Sequence, residues 1–328
     1  MPFSDIVGND RMKPLLRRAV REGRVGQSLI FAGPDGIGKR RFAAALAQAL
    51  NCERPIDGDA CGKCGQCFKV AHGEHPDVVI YHKNPDGQFI KIDQMREMSA
   101  EAQFKPFEGN RRVLIVDEAH RLNIPAANSI LKALEEPPET SLIVLVTSRP
   151  YALLDTVRSR CQILSFAPVS LAELESYLMA NYGRPVEQNK LIARLASGSI
   201  GRALGIDVHE YLAEREHMIK LVEAALIHRD GVELLAAAEH LGRKLERDDF
   251  VRYMNTLLLV LADLFKLKLD QPLEMLTNAD EASRLGAISD QIDFQSLTAW
   301  TDKIEKLLQD ITRNVSRQLA LEDMLLSI

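Results

Sequence analysis

The feature that most restricts how this chain can fold is a glycine-rich loop between a strand pattern and a helix pattern. Residues 29–32 form a short apolar run, residues 33–40 read GPDGIGKR, and residues 41–50 form an alanine-rich helical segment. Glycines let backbone N–H groups converge on phosphate oxygens, and the start of the following helix adds positive potential. The pattern predicts a phosphate-binding loop in which Lys39 reaches the outer phosphates. The loop residues expected to contact nucleotide are Gly33, Gly36, Gly38, Lys39 and Arg40.

One position of this loop departs from the pattern. The residue after the lysine is expected to be Ser or Thr, whose hydroxyl ligates magnesium, but Arg40 stands there. A guanidinium stays protonated, so it cannot ligate a metal ion. Binding of ATP with Mg²⁺ is therefore expected to be impaired, and catalysis is expected to suffer much more than phosphate contact.

Two further apolar runs predict the rest of a parallel sheet. Residues 113–116 and 142–146 are continuous and rich in β-branched residues, which is typical of strands covered by helices on both faces. Asp117 and Glu118 directly follow the first of these runs. Asp117 is placed to hold magnesium and Glu118 to orient or deprotonate an attacking water. The alternative is a strand that ends in a solvated acidic turn.

Four of the five cysteines lie close together in the sequence, at positions 52, 61, 64 and 67. Two CxxC steps and a fourth cysteine upstream predict a tetrahedral zinc site. Because four protein ligands leave no open position, the role of the zinc is expected to be structural. An iron–sulfur cluster and uncoordinated thiols are the alternatives. His72 and His75 are expected to lie at the surface or beside the ligands. The predicted metal ligands are Cys52, Cys61, Cys64 and Cys67.

Beyond residue 170 the strand signal disappears and the apolar spacing becomes helical. Short helices are expected at 171–181, 186–196 and 201–207, and the clearest later helices at 250–269 and 297–310. The sequence thus predicts an α/β domain, a small helical domain and a bundle of roughly five helices. The expected domains are a P-loop core at 1–167 with a zinc module at about 52–77, a helical lid at 168–207, and an all-α domain at 208–328.

The charge distribution limits the partners. The net charge is −5, which argues against a protein that coats nucleic acid. Residues 201–328 hold 15 basic against 23 acidic side chains, so any polyanion site is expected in residues 1–200. The longest apolar run, at 257–262, is far too short to cross a bilayer, and no signal peptide is visible. We therefore expect a soluble cytoplasmic protein with no membrane partner.

Taken together, these motifs resemble bacterial DNA polymerase III clamp-loader subunits of the AAA+ class, and within that class the delta-prime subunits. The resemblance extends over nearly the whole chain. Besides the loop, the cysteines and the acidic strand end, it rests on residues 3–8, 128–138, 159–161, 198–203 and 319–322, together with Asn314.

The resemblance implies specific roles. Arg160, in the Ser-Arg-Cys triplet, matches an arginine finger presented to ATP on a neighbouring subunit. Thr147 matches the sensor-1 position and Arg202 the sensor-2 position, while residues 208–328 match the collar through which five subunits associate. In such a hetero-pentamer, ATP drives the opening of a ring-shaped sliding clamp and its closure around primed DNA. The implied partners are the other clamp-loader subunits and, through the complex, the clamp and DNA.

Arg40 decides between two kinds of subunit. Motor subunits of the gamma/tau type keep Ser or Thr after the loop lysine, whereas delta-prime subunits often carry a degraded loop and do not hydrolyse ATP. Together with Arg40, the resemblance therefore implies a largely non-catalytic subunit in which Glu118 is a remnant, with a working ATPase as the alternative. A third alternative is nucleic-acid binding by the cysteine module. Its acidic residues outnumber its basic ones, which argues against phosphate contacts.

Overall fold

The computed structural model describes residues 1–84, 87–228, 231–311 and 316–326. Asn314, which contributes to the resemblance, lies outside the described residues. The chain forms two compact units, Met1–Gly205 and Ile206–Ile328.

The first unit is built on a five-stranded parallel sheet with the order β2-β3-β4-β1-β5. The strands are β1 Ser28–Ala32, β2 Val78–Tyr81, β3 Arg112–Val116, β4 Ser141–Thr147 and β5 Gln162–Ser165. The three strands predicted from sequence are β1, β3 and β4, which occupy the centre of the sheet. The two edge strands, β2 and β5, were not predicted. Their residues are largely half-buried or exposed, so they lack the continuous apolar run of a central strand.

Helices cover both faces of this sheet. They are α1 Met12–Arg21, α2 Lys39–Asn51, α3 Gly65–His72, α4 Ile92–Glu101, α5 Ile124–Ser129, α6 Leu131–Glu135, α7 Asp155–Arg158, α8 Leu171–Asn181, α9 Val186–Ala196 and α10 Ile200–Gly205. Neighbouring residues of β1 point to opposite faces, so Ile30 belongs to one buried core and Phe31 to the other. The predicted fold class, a parallel sheet flanked by helices, is confirmed.

Two details concern the bounds of these helices. The segment 123–135 is divided into α5 and α6 at Ile130. The side chain of Asn123 caps α5 by accepting the backbone N–H of Ala126 at 3.0 Å. The helices α8 and α9 have the expected bounds, whereas α10 begins one residue earlier and ends two residues earlier than expected.

The second unit is helical throughout its described residues. Its α-helices are α11 Val208–Glu223, α12 Gly231–Glu239, α13 Arg247–Lys268, α14 Ala282–Gln291, α15 Phe294–Asp310 and α16 Arg317–Leu326. The predicted bundle is confirmed, although the described residues hold six α-helices rather than roughly five. Trp300 and six apolar residues of α13 are buried in its core: Phe250, Met254, Leu257, Val260, Leu261 and Leu264. Among the described residues, none of the helices is both long enough and apolar enough to cross a membrane.

Candidate functional site

The glycine-rich loop connects β1 to α2 at the carboxyl edge of the sheet. Two of its glycines are required by the local geometry. A Cβ at Gly33 would lie 2.3 Å from the carbonyl oxygen of Phe166, and Gly36 has a φ of +72°. The loop therefore makes a tight turn whose last residues lead directly into the 13-residue helix α2. This is the strand–loop–helix arrangement that the sequence predicts for phosphate binding.

Lys39 begins α2 and turns its side chain back into the loop. Its ammonium donates to the carbonyl oxygens of Gly33, at 2.6 Å, and of Pro34. The residue is only 6% exposed, and this burial lowers the pKa of Lys39, although Asp35 and Asp117 act in the opposite direction. The lysine is thus held inside the loop by backbone acceptors, and its contact with phosphate stays a prediction.

Arg40 forms an ion pair with Asp117. Its Nη1 lies 3.2 Å from Oδ2 of Asp117, and the other carboxylate oxygen, Oδ1, accepts the backbone N–H of Glu118 at 3.0 Å. Both oxygens of Asp117 are therefore already engaged. Asp117, which the sequence predicts as a magnesium ligand, is therefore neutralised by Arg40. Arg40 in turn stands where the second expected ligand, a Ser or Thr hydroxyl, would be.

Glu118 also has a partner. Its backbone is left-handed, with φ of +50°, and its carboxylate pairs with Nε of Arg121 at 3.0 Å. The carboxylate that the sequence expects to orient or deprotonate a water is thus already engaged in an ion pair. Arg121 was not recognised from the sequence as part of the site.

Thr147 ends β4 and faces His120. The threonine Oγ1 lies 3.3 Å from Nδ1 of His120 and accepts the backbone N–H of Arg149 at 3.0 Å. Burial, together with the nearby Arg149, lowers the pKa of His120, so the ring is neutral at pH 7. His120 was missed by the sequence analysis, although its place two residues after Glu118 could have indicated it.

These groups surround a cavity of about 670 Å³. Residues of the glycine-rich loop, of the strand ends and of the helices α8 and α10 line this cavity. The backbone N–H of Gly201 donates to the carbonyl oxygen of Gly36 at 2.8 Å, which brings α10 against the loop. The lining residues predicted from sequence are Gly36, Gly38, Lys39, Arg40, Asp117, Glu118 and Thr147. Gly33, Arg160 and Arg202 are not among the residues that line it; the sensor role of Arg202 stays a prediction.

Arg160 lies in the short connection between α7 and β5. Its Nε is 3.3 Å from a carboxylate oxygen of Glu135, and its Nη1 donates to the carbonyl oxygen of Thr156 at 3.0 Å. The side chain is 31% exposed. Burial raises the pKa of the adjacent Cys161 to about 12, so that thiol stays protonated at neutral pH and is a poor nucleophile.

The four predicted cysteine ligands come together. Their Sγ atoms all lie within 4.8 Å of one another; Cys52 and Cys64 are 4.0 Å apart, and Cys61 and Cys67 are 3.9 Å apart. A tetrahedral zinc with Zn–S bonds of about 2.3 Å places its sulfurs about 3.8 Å apart. The donor set and its spacing therefore fit one zinc ion.

The backbone around the cluster also suits thiolates. Two N–H groups, those of Arg54 and Cys61, point at Sγ of Cys52, at 3.4 and 3.3 Å, and the N–H of Cys67 points at Sγ of Cys64, at 3.5 Å. Donors of this kind stabilise negative charge on sulfur. His72 and His75 are not part of the group; His72 is exposed, whereas His75 is buried rather than at the surface.

The cysteine module is fastened to the rest of the first unit. Asp59 accepts the backbone N–H groups of Phe3, at 2.8 Å, and of Ser4, at 3.1 Å, and Gln48 of α2 donates to the carbonyl oxygen of Cys67 at 2.7 Å. Through these hydrogen bonds the cysteine module connects the start of the chain to α2, the helix that follows the glycine-rich loop.

Comparison with known proteins agrees with these features. The family model described as "DNA polymerase III, delta subunit" matches residues 8–170, and the model "DNA polymerase III, delta subunit, C terminal" matches residues 209–328. The delta-prime subunit of Bacillus subtilis is 32% identical over 65% of this chain and 64% of its own length. The delta-prime subunit of Pseudomonas aeruginosa is 36% identical over 52% of each chain.

A third relative is the tau subunit of Bacillus subtilis, 30% identical over 69% of this chain and 40% of its own length. The chain thus matches less than two thirds of the length of each of these relatives. The two family models nevertheless match one in each structural unit, over most of the first and nearly all of the second. The resemblance predicted from the motifs is confirmed, and the chain belongs to the family of DNA polymerase III clamp-loader subunits of the AAA+ class, with delta-prime subunits among its relatives.

Proposed function

We propose that this chain is a delta-prime-like subunit of a clamp loader, the complex that uses ATP to place the sliding clamp on primed DNA. The proposal rests on the family models for both units and on the delta-prime relatives. Its partners would be the other clamp-loader subunits and, through them, the clamp and DNA. Such a role in replication implies a cytoplasmic location.

The observation that carries the non-catalytic part of this proposal is the ion pair between Arg40 and Asp117. Hydrolysis at a phosphate-binding loop depends on a magnesium ion that neutralises the charge developing on the phosphates. Here Arg40 stands in place of one expected magnesium ligand, and Asp117, the other expected ligand, is paired with Arg40. Glu118 is moreover paired with Arg121. The isolated chain would therefore hydrolyse little ATP.

Arg160 would act on a neighbouring subunit. A guanidinium offers planar, permanently charged donors that suit the charge on a transferring phosphoryl group. Arg160 does not line the cavity of its own chain, and its pairing with Glu135 is partly open to solvent, so this contact can be exchanged for a phosphate. In the proposed assembly, the chain supplies a catalytic group without performing catalysis itself.

The cysteine cluster would hold one structural Zn²⁺. The four sulfurs fit its tetrahedral geometry, and four thiolates leave no open position for a substrate or a water nucleophile. The contacts of the module to the start of the chain and to α2 support a role in stability.

The assembly is tested by native mass measurement of this chain mixed with the other clamp-loader subunits of its host. The proposal predicts one copy of this chain in a five-subunit complex. A chain that forms only homo-oligomers, or that stays monomeric in the full mixture, would contradict it.

A catalytically active ATPase of the gamma/tau kind is the second candidate. Lys39, Glu118 and Thr147 all line the cavity, and the tau subunit of Bacillus subtilis is among the relatives. This candidate predicts substantial ATP turnover by the isolated chain, abolished by Lys39→Ala. Turnover below a few per cent of that of a gamma/tau subunit assayed in parallel would exclude it.

A further inference from the structure

The place of a divalent cation in the cavity is taken by a side chain. Magnesium requires near-octahedral oxygen coordination at about 2.0–2.1 Å. The guanidinium of Arg40 brings no oxygen, carries a positive charge that repels a cation, and lies 3.2 Å from the one carboxylate expected to bind the metal. The residues present therefore do not fit Mg²⁺.

The phosphate-binding side of the cavity is intact. The glycine turn and the start of α2 present backbone N–H groups. The hydrogen bonds described for the buried ammonium of Lys39 both go to backbone carbonyls of its own loop. Arg40 and Arg41 add two more cations to the lining. A volume of about 670 Å³ is within the range of pockets that hold small organic ligands.

We propose that this cavity binds a nucleoside di- or triphosphate without a divalent cation, and that Arg40 supplies the positive charge that magnesium supplies elsewhere. On binding, the guanidinium of Arg40 would be shared between Asp117 and a phosphate oxygen. The inference concerns the isolated chain and does not depend on the proposed assembly.

This arrangement reverses the role of Asp117. In a site that uses magnesium, the carboxylate holds the metal, and its removal weakens nucleotide binding. Here the carboxylate competes with phosphate for Arg40, so its removal frees the guanidinium. Since the pair is partly exposed, its interaction is worth at most about 1 kcal/mol, which corresponds to a change of about two- to fivefold in affinity.

Isothermal titration calorimetry of the full chain with ADP and with ATP, each in EDTA and in excess Mg²⁺, tests the proposal. The wild-type chain is expected to bind at least as tightly in EDTA as in Mg²⁺. Asp117→Asn is expected to tighten binding in EDTA by about two- to fivefold. Arg40→Thr restores a hydroxyl, and Mg²⁺ should then tighten binding by about tenfold or more.

Arg41→Thr is the matched control, because it removes the same charge from the neighbouring position and lining. It is expected to weaken binding equally in EDTA and in Mg²⁺. The proposal would be overturned by tenfold tighter wild-type binding in Mg²⁺, by weaker binding of Asp117→Asn in EDTA, or by the absence of binding to the folded wild-type chain in both buffers.

Discussion

Replacing Cys61 by serine is expected to release the zinc while leaving most of the fold in place. Cys61 is the informative choice because it is only partly buried, whereas Cys67 is fully buried and its loss would also disturb packing. The Sγ separations of 4.0 Å (Cys52–Cys64) and 3.9 Å (Cys61–Cys67) are similar, and all four sulfurs lie within 4.8 Å of one another, so we take the four thiolates to contribute comparable shares of the zinc-binding free energy.

The size of the effect follows from this geometry. Structural zinc sites bind with about 10–16 kcal/mol near pH 7, so one of four similar ligands is worth about 2.5–4 kcal/mol. That loss corresponds to affinity about 10²–10³-fold weaker. Because Asp59 and Gln48 still tie the module to the first unit, we expect local loosening at residues 52–64 rather than global unfolding.

Three measurements check this prediction: the metal content of the purified protein, competition with a chelator of known affinity, and hydrogen exchange across residues 52–64. Cys161→Ser is the matched control, since Cys161 is a cysteine outside the cluster. It should retain about one zinc per chain. Iron in the wild-type protein, unchanged zinc affinity in Cys61→Ser, or equal zinc loss in Cys161→Ser would refute the reasoning.

Three other predictions concern the first unit. Asp77 is fully buried, accepts the backbone N–H groups of residues 107–109 and pairs with Arg112. Burial alone would raise the pKa of Asp77, but these contacts hold the pKa below its ordinary value. Asp77→Asn should therefore lower the free energy of unfolding by about 2–4 kcal/mol at pH 7, measured by urea denaturation. This difference should shrink as the pH falls through the depressed pKa, because the stabilisation is present only while the carboxylate is ionised; an equal difference at all pH values would contradict it. Gly33→Ala should destabilise the unit and reduce ADP binding, since its Cβ would meet Phe166, and an unchanged melting temperature would argue against the close contact. ATP turnover by the isolated chain should be near background in a coupled assay, and Arg40→Thr alone should not restore it, because no neighbouring subunit supplies a finger.

The central sheet and the metal site could be predicted because their signals are local. Continuous apolar runs identified β1, β3 and β4, which are covered on both faces. The spacing of the cysteines identified the cluster, because each CxxC step brings two sulfurs together within a single turn. The edge strands β2 and β5 were missed because an edge strand buries fewer of its side chains.

The pairings within the cavity could not be predicted, since they join distant positions. The presence of Arg40 in place of Ser or Thr indicated the loss of a metal ligand. The ion pair of Arg40 with Asp117, 77 residues away, could not be foreseen, because it depends on the order of strands in the sheet. In the same way, Thr147 meets His120 only because the ends of β3 and β4 are neighbours.

The most direct test of the account is ATP hydrolysis by the assembled complex with Arg160→Ala in this chain. An arginine finger is worth roughly 10³–10⁵ in rate at the single site that it serves in well-studied GTPases. The account predicts normal assembly and a partial fall in DNA-stimulated hydrolysis, because the other sites keep their own fingers. Arg160→Lys should restore little of the lost hydrolysis, since an ammonium group cannot reproduce the planar donors of a guanidinium. Unchanged hydrolysis and clamp loading by a fully assembled Arg160→Ala complex would contradict the account and leave Arg160 as the ion-pair partner of Glu135.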